Sequence, residues 1–156
     1  MEQWFLRITA YQDQLLDDMA QLAAWPERVL VQQKNWVGKS HGAEVDFPVE
    51  GAEPIRVFTT RIDTIWGATF MVLAPEHPMV DGLLAGQEDA AARKEQIVRL
   101  RSQDRRARLE GRVEKEGVFT GRYATNPITN EKIPVWVGNF VLMGYGTGAI
   151  MSVPAH

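Results

Sequence analysis

Residues 59–64, Thr-Thr-Arg-Ile-Asp-Thr, combine three hydroxyls, a guanidinium and a carboxylate within six positions, directly after the largely apolar run 55–58. Hydroxyls can orient a water molecule, a guanidinium can hold a phosphate, and a carboxylate can accept a hydrogen bond from a hydroxyl. Five polar groups cannot all enter a hydrophobic core, because each unpaired group costs on the order of 1–3 kcal/mol. The segment therefore predicts a strand end that opens onto a polar site.

A second unusual segment runs from Gly144 to His156, where a glycine-rich turn leads into a short apolar strand. We expect chemistry where this segment meets residues 59–64. Taken alone, each segment also has a plainer interpretation. Threonine-rich strands are common in ordinary β structure. The pair Gly146 and Gly148 lacks the third glycine and the following helix of a phosphate-binding loop, so a turn is the default.

The elements that must position these residues follow from hydrophobic spacing. Apolar residues from 4 to 22 predict one helix with a buried stripe, which ends at Trp25-Pro26. Alternation over 43–58 predicts a β-hairpin, and 68–73 reads as a strand covered on both faces. Residues 87–110 predict an exposed helix, and three more strands are predicted at 118–121, 133–137 and 140–143.

The predicted fold class is mixed α/β, with a helix-rich leader of about 35 residues before a mostly β module that carries surface helices. A domain boundary is expected near Lys39 to Gly42. The chain has 156 residues, no cysteine, three scattered histidines and a net charge of −3. This composition excludes disulfides and thiolate metal sites, and the net charge argues against a DNA-binding surface. No apolar run approaches the length of a membrane span. A cytoplasmic location is expected, and any contact with a polyanion must be local.

Several blocks carry a family resemblance. The threonine-rich segment, continued by Gly67-Ala68-Thr69-Phe70 and by 71–78, resembles the matching motif of bacterial leucyl-tRNA synthetases. Three further blocks agree with that family, namely 35–44, 117–121 and 131–136 running on to Pro154-Ala155-His156. The related valyl and isoleucyl enzymes have threonine-rich segments that match less well. The resemblance covers essentially the whole chain.

The resemblance implies that residues 1–40 are a helical piece of a Rossmann-type catalytic core and that 41–156 form a β-rich, barrel-like editing domain, truncated at its C-terminus. The full ligase would charge tRNA(Leu) with leucine, using ATP and Mg²⁺, as a cytoplasmic monomer. The adenylate-forming signatures do not occur in this sequence, so no cofactor is expected for this segment. Its implied partner is the acceptor end of tRNA(Leu), and its implied reaction is hydrolysis of mischarged aminoacyl-tRNA.

Site roles follow from the resemblance and from side-chain chemistry. Thr59 and Thr60 would orient a water molecule or the developing oxyanion. Arg61 would hold the terminal phosphate, while Asp63 would accept a ribose hydroxyl, orient Arg61 or act as general base. Thr64 would block leucine sterically. The pocket residues on the opposite wall would be Tyr145, Met151 and His156.

Two departures from the family pattern bear on activity. Relatives carry an aspartate directly after the equivalent of His156, which would hold the substrate's amino group, and the sequence ends before it. Ile62 replaces the usual proline, which loosens the turn without removing a reacting group. The alternative function is therefore a folded segment that binds the aminoacyl-tRNA end without turnover.

Other residues have two interpretations or a purely structural one. The basic residues of the 93–112 segment could contact tRNA phosphates or could form a solvated helix face. His77 is expected in a turn and His41 in an exposed loop. The tryptophans Trp4, Trp25 and Trp36 are expected to anchor a core. The basic residues are Arg93, Lys94, Arg99, Arg101, Arg105, Arg106, Arg108 and Arg112.

Overall fold

The computed structural model describes residues 4, 6–144 and 146–155. The chain divides into two compact units, Met1–His41 and Gly42–His156. The first unit contains a 3-10 turn at Ile8–Tyr11, helix α1 at Gln12–Asp17, a second 3-10 turn at Asp18–Gln21 and helix α2 at Glu27–Val37. The long helix predicted for residues 4–22 is therefore broken into three short pieces.

None of the side chains described in the first unit is buried. The expectation that its tryptophans anchor a core is wrong, since Trp4, Trp25 and Trp36 are 99%, 50% and 88% exposed. A helix buries its apolar stripe only against another layer of structure, and these short helices do not supply one to the tryptophans within this unit.

The second unit is built on one mixed six-stranded sheet with the order β2-β1-β4-β5-β3-β6. Strand β3 runs parallel to β5, and the other neighbouring pairs are antiparallel. The predicted hairpin is confirmed, with Val45 opposite Val57 and Phe47 opposite Ile55. The strands are β1 Ala43–Val49, β2 Ala52–Thr59, β3 Phe70–Leu73, β4 Gly117–Thr125, β5 Lys132–Gly138 and β6 Ala149–Ser152.

The predicted strand at 140–143 is wrong. These residues form turn and irregular structure, with Phe140 and Met143 exposed and Val141 buried. Two carbonyl groups, one just before this segment and one within it, instead accept hydrogen bonds from an arginine side chain. Arg108 donates from Nε to the Asn139 carbonyl at 2.7 Å and from Nη2 to the Val141 carbonyl at 3.0 Å. Carbonyls bound in this way do not need a neighbouring strand.

Three helices accompany the sheet, namely α3 at Val80–Leu84, α4 at Ala90–Ser102 and α5 at Arg105–Leu109. The single exposed helix predicted for 87–110 is interrupted because Asp104 starts a new helix, accepting a hydrogen bond from the Ala107 amide at 2.7 Å. Helix α4 is not fully exposed, since Ile97 and Leu100 are buried in a cluster with Val80, Val118 and Val137.

The sheet is strongly curled, and Cα atoms of its edge strands β2 and β6 approach within 8 Å. The sheet nevertheless ends at these two strands, and no ladder joins them among the described residues. The expected barrel is therefore an open mixed sheet. Strand β6 has only four residues, and its pairing in the described chain is with β3. The main core cluster lies on the inner face of the sheet and includes Phe47, Ile55, Met71 and Val135.

Candidate functional site

A tight turn follows strand β2 and carries the threonine-rich residues. Thr59 Oγ1 accepts a hydrogen bond from the Arg61 amide at 3.0 Å. The Arg61 carbonyl accepts two hydrogen bonds, from Thr64 Oγ1 at 2.9 Å and from the Thr64 amide at 3.2 Å. A 3-10 helix, Ile62–Gly67, continues from this turn. The Arg61 backbone is thus bound on both sides by threonine hydroxyls.

Arg61 and Asp63 form an ion pair on this turn. The guanidinium donates from Nε to Oδ1 at 3.0 Å and from Nη2 to Oδ2 at 2.9 Å. Hydrogen bonding to Asp63, with its negative charge, raises the pKa of Arg61 above its ordinary value. The pair uses one edge of the guanidinium and leaves Nη1 outside it. Asp63 therefore fixes the orientation of Arg61.

The polar side chains of the turn remain at the surface. Thr60, Arg61 and Asp63 are exposed, while Thr59 and Thr64 are half-buried. Ile65, by contrast, is 1% exposed and joins the main core cluster. The 3-10 helix thus buries one apolar anchor and presents its polar neighbours outward, which satisfies them without a cost of burial.

The glycine-rich closing segment lies against the same region. Strand β6 pairs with β3 from Phe70 opposite Ser152 to Leu73 opposite Ala149. The Thr69 amide also donates to the Ser152 carbonyl at 3.0 Å. The half-buried Met151 packs against the core cluster that contains Ile65. The structure therefore brings the closing segment onto the same core cluster as Ile65, in the 3-10 helix that follows the threonine-rich turn.

The glycine turn before β6 approaches the end of β2. A Cβ placed on Gly146 would lie 3.8 Å from the Phe58 Cβ. Gly148 has φ +77°, which strains any other residue, and a Cβ there would lie 2.5 Å from the Met143 sulfur, so a side chain would also displace Met143. The turn interpretation of these glycines agrees with their positive φ angles. Two predicted site residues, Tyr145 and His156, lie outside the described residues.

Comparison with known proteins identifies the architecture. The family described as "Leucyl-tRNA synthetase, editing domain" matches residues 34–156. The chain belongs to the leucyl-tRNA synthetase editing-domain family. Similarity extends over the whole chain in a leucine--tRNA ligase from Solibacter usitatus, which is 57% identical over 158 residues. A leucine--tRNA ligase from Thermotoga maritima is 56% identical over 157 residues.

The same family membership is seen in a solved structure. The LeuRS of Agrobacterium radiobacter K84, determined in a ternary complex with tRNA and LeuAMS, superposes with a TM-score of 0.78 and 41% identity. The match covers 98% of this chain and 18% of that one. The two ligases above are each matched over 100% of this chain and 19% of their own length. The chain thus spans about a fifth of its curated relatives.

Three side chains of the second unit make contacts that sequence reasoning missed. The sequence predicts only that Asn126 belongs to an Asn-Pro turn, yet its side-chain Nδ2 donates a hydrogen bond to the Ile65 carbonyl at 2.8 Å. His77 does lie in a turn, but it also neighbours the glycine segment, with its Cδ2 3.3 Å from a Cβ placed on Gly148. Arg108 belongs to a basic run in sequence, yet its side chain is 2% exposed. Nothing in the local sequence separates these three residues from ordinary turn or surface residues, because the contacts that define them are with residues far away along the chain.

The other basic residues of the 93–112 segment are mostly paired within the domain. Arg101 donates to the Pro75 carbonyl, and Arg93 donates to the Thr120 carbonyl at 3.2 Å. These two contacts hold α4 against β4 and against the segment that follows β3, and ion pairs with carboxylates offset much of the local positive charge. The ion pairs are Arg93–Asp89, Lys94–Asp81, Arg99–Glu116, Arg106–Glu110, Arg108–Glu76 and Arg112–Glu110.

Two further observations concern partners and cofactors. Within the described ranges, no helix combines the length and apolar character needed to cross a bilayer. The same residues contain no group of three or more histidine, cysteine, aspartate or glutamate side chains arranged to hold a metal ion.

His77 is expected to make the stability of the second unit depend on pH. Its Nδ1 accepts a hydrogen bond from the Met79 amide at 3.2 Å, which requires the neutral ring. Burial lowers the pKa of His77 below its ordinary value of 6.5, although a hydrogen bond with the backbone of Thr147 opposes the shift. The unfolded state therefore binds a proton at His77 more readily than the folded state does. The contribution of the neutral His77 ring to the free energy of unfolding is fully present above about pH 6.5, and it is lost as the pH falls through the lower pKa of the folded state.

We therefore expect the free energy of unfolding to decrease between pH 7.5 and 5.0, with a slope of no more than one proton from this group. The free energy of unfolding is measured by urea denaturation at each pH, with the amide resonances of β5 as the probe of folding. His77→Asn, which retains an acceptor near the Nδ1 position but does not titrate, should flatten this part of the profile. His41→Gln, in the other unit, is the control. An unchanged profile in His77→Asn would contradict the assignment.

Proposed function

We propose that this chain hydrolyses the ester bond of mischarged aminoacyl-tRNA(Leu), as the editing module of a leucine--tRNA ligase. The observation that carries the proposal is the meeting of the threonine-rich turn and the glycine-rich closing segment on one core, in a member of this editing-domain family. A hydrophobic pocket separates amino acids that differ by one methylene by only about 1–3 kcal/mol. A second, hydrolytic selection step is therefore needed for an aliphatic substrate.

The reaction adds water to the carbonyl carbon of the ester. The carbon–oxygen bond to the ribose breaks, the amino acid leaves as the free acid, and the ribose hydroxyl takes a proton. Thr60 is exposed, so its hydroxyl is available to orient the attacking water or the developing oxyanion. Thr59 Oγ1 accepts from the Arg61 amide, which leaves its own hydroxyl proton available for donation.

Arg61 would bind the terminal phosphate through donors outside its pair with Asp63. The pair supports an orienting role for Asp63, because two hydrogen bonds hold the guanidinium plane. The Asp63 carboxylate has two alternative roles: it would accept a hydrogen bond from a ribose hydroxyl, or it would act as the general base. Thr64 and Met151 would shape the amino-acid pocket, together with Tyr145 and His156.

The proposal also covers the larger protein. We infer that residues 1–40 belong to a Rossmann-type catalytic core and that 41–156 form the editing domain of a ligase that charges tRNA(Leu) with leucine. That ligase would use ATP and Mg²⁺ bound by residues other than these, and it would work as a cytoplasmic monomer. Its macromolecular partner would be the acceptor end of tRNA(Leu), as tRNA is present in the related LeuRS complex.

The direct test is release of isoleucine from isoleucyl-tRNA(Leu) incubated with this chain, with the Thermotoga maritima ligase as positive control. Release above the spontaneous rate supports an editing activity of the chain itself. Binding of the aminoacyl-tRNA without release would instead favour the non-catalytic alternative. Absence of both binding and release would contradict the proposed function.

Arg61→Gln should lower kcat/KM for this hydrolysis by about tenfold, because a charge-assisted contact with phosphate is lost. The matched control is Arg56→Gln, since Arg56 is also exposed and pairs with a carboxylate, that of Asp46 at 2.7 Å. The comparison is made by initial rates at several tRNA concentrations. Equal losses in the two variants would contradict a specific role for Arg61.

A further inference from the structure

Asn126 lies directly after β4 and is 0% exposed. Its Oδ1 accepts a hydrogen bond from the Ile128 amide at 3.0 Å, and a longer contact joins it to the Thr129 amide at 3.4 Å. The backbone of Asn126 also donates to the Glu131 carbonyl at 2.9 Å. These bonds make the turn between β4 and β5 a fixed support.

The other end of the same side chain reaches the threonine-rich turn. Asn126 Nδ2 donates to the Ile65 carbonyl at 2.8 Å, across 61 positions of sequence. This carbonyl lies inside the 3-10 helix and also accepts from the Ala68 amide at 3.1 Å. Ile65 directly follows Thr64, so the amide of Asn126 holds the helix at the point next to that side chain.

We infer that Asn126 is a positioning residue for editing: it sets the height and orientation of the 3-10 helix that carries Thr64, relative to the sheet. The inference rests on the proposed function for its catalytic consequence but not for its structural one. The main core cluster fixes Ile65 by its side chain, while Asn126 fixes its backbone. A backbone held at both points cannot rotate about the Ile65 anchor, so the side chains of the turn keep their direction.

Asn126→Asp separates positioning from support of the local turn. The aspartate retains the size of the side chain and an oxygen that can accept from the Ile128 amide. It replaces the donor that faces Ile65 by an oxygen, so two acceptors oppose each other across the contact. The β4–β5 turn should therefore persist while the 3-10 helix moves.

Asn139→Asp is the matched control. Asn139 is also buried, at 2% exposure, and its Nδ2 donates to Gln103 Oε1 at 2.9 Å and to the Glu114 carbonyl at 2.8 Å. Its Oδ1 accepts from the Glu116 amide at 2.9 Å. The variant thus removes a comparable buried donor, and the described partners of this side chain, on Gln103, Glu114 and Glu116, all lie outside the threonine-rich turn.

The first measurement is amide hydrogen exchange in this chain, followed by NMR. In Asn126→Asp, exchange of the Thr64 and Ala68 amides should become at least tenfold faster relative to the amides of β5. In Asn139→Asp, that ratio should not change. If Asn126→Asp does not fold, Asn126→Ser is used, because serine can still cap the turn but does not reach Ile65. An unchanged ratio in the folded variant would overturn the inference.

The second measurement is the ratio of hydrolysis rates for isoleucyl-tRNA(Leu) and leucyl-tRNA(Leu). A displaced Thr64 should lower this ratio at least tenfold in Asn126→Asp and leave it unchanged in Asn139→Asp. An equal change in both variants would indicate a general structural effect and overturn the positioning role. If the unmodified chain releases neither amino acid, the proposed function fails, while the exchange measurement still decides whether Asn126 positions the helix.

Discussion

Thr64→Ala is expected to make correctly charged leucyl-tRNA(Leu) a substrate for hydrolysis. Thr64 is half-buried, and its hydroxyl is held by the Arg61 carbonyl at 2.9 Å, which also fixes the direction of its methyl group. Alanine removes both groups and leaves room for the leucine side chain, which is branched at Cγ. The space freed in the pocket is about the size of one methyl group, and a difference of one methylene changes discrimination by about 10–200-fold. The rate of leucyl-tRNA cleavage should therefore rise by about 10–100-fold.

Release of labelled leucine and isoleucine from the two tRNAs measures the change. Thr64→Val is the matched variant, since it keeps the volume and loses the hydroxyl bond; discrimination should largely survive in it if the block is steric. Thr64→Ser keeps the hydroxyl and loses the methyl group. The assignment is wrong if Thr64→Ala leaves leucyl-tRNA intact while mischarged tRNA is still cleared.

Arg108→Met is expected to destabilise the second unit by roughly 3 kcal/mol, near the lower end of the range for a broken buried ion pair. The Arg108 side chain is 2% exposed, whereas its partner Glu76 is 39% exposed and partly solvated. Burial acts to raise the pKa of Glu76, but the hydrogen bond from Arg108 brings the pKa below its ordinary value. Methionine would leave the Asn139 and Val141 carbonyls without their donor as well.

Urea denaturation, followed by the amide resonances of β5, measures the change in the free energy of unfolding. The control is Arg106→Met, whose i,i+4 pair with Glu110 at 2.9 Å involves an arginine that is 85% exposed. Such a pair contributes only about 0.3–0.5 kcal/mol. Comparable losses in the two variants would show that Arg108 does not anchor the 139–141 segment.

Local pattern was enough to predict the elements whose burial alternates along the chain. The hairpin β1–β2 follows from the alternation of Val45 and Phe47 with charged neighbours, and Phe47 is fully buried as this requires. The run that forms β3 was equally clear, because it is apolar on both faces. In contrast, Phe140 to Met143 have the composition of a strand but form a loop. Arg108, which lies on α5, holds this loop through the carbonyls of Asn139 and Val141.

The candidate site divides in the same way. The polar side chains of Thr59 to Thr64 were visible in sequence, because so many polar groups at a strand end cannot be buried. The residue that supports this turn could not be predicted from sequence, because the hydrogen bond from Asn126 to the Ile65 carbonyl joins residues that are far apart along the chain. The tryptophans of the first unit show the converse limit, since their type favours burial while their neighbours provide no layer to cover them.

The order of strands in the sheet has a consequence for how the site forms. Strands β1 and β2 pair through a short turn, so they can associate early with little loss of chain entropy. Strand β3 must wait for β5 and β6, which both lie far along the chain. The ladder between β3 and β6 should therefore close late, and the closing segment should reach its place beside β3 only when nearly the whole unit has folded.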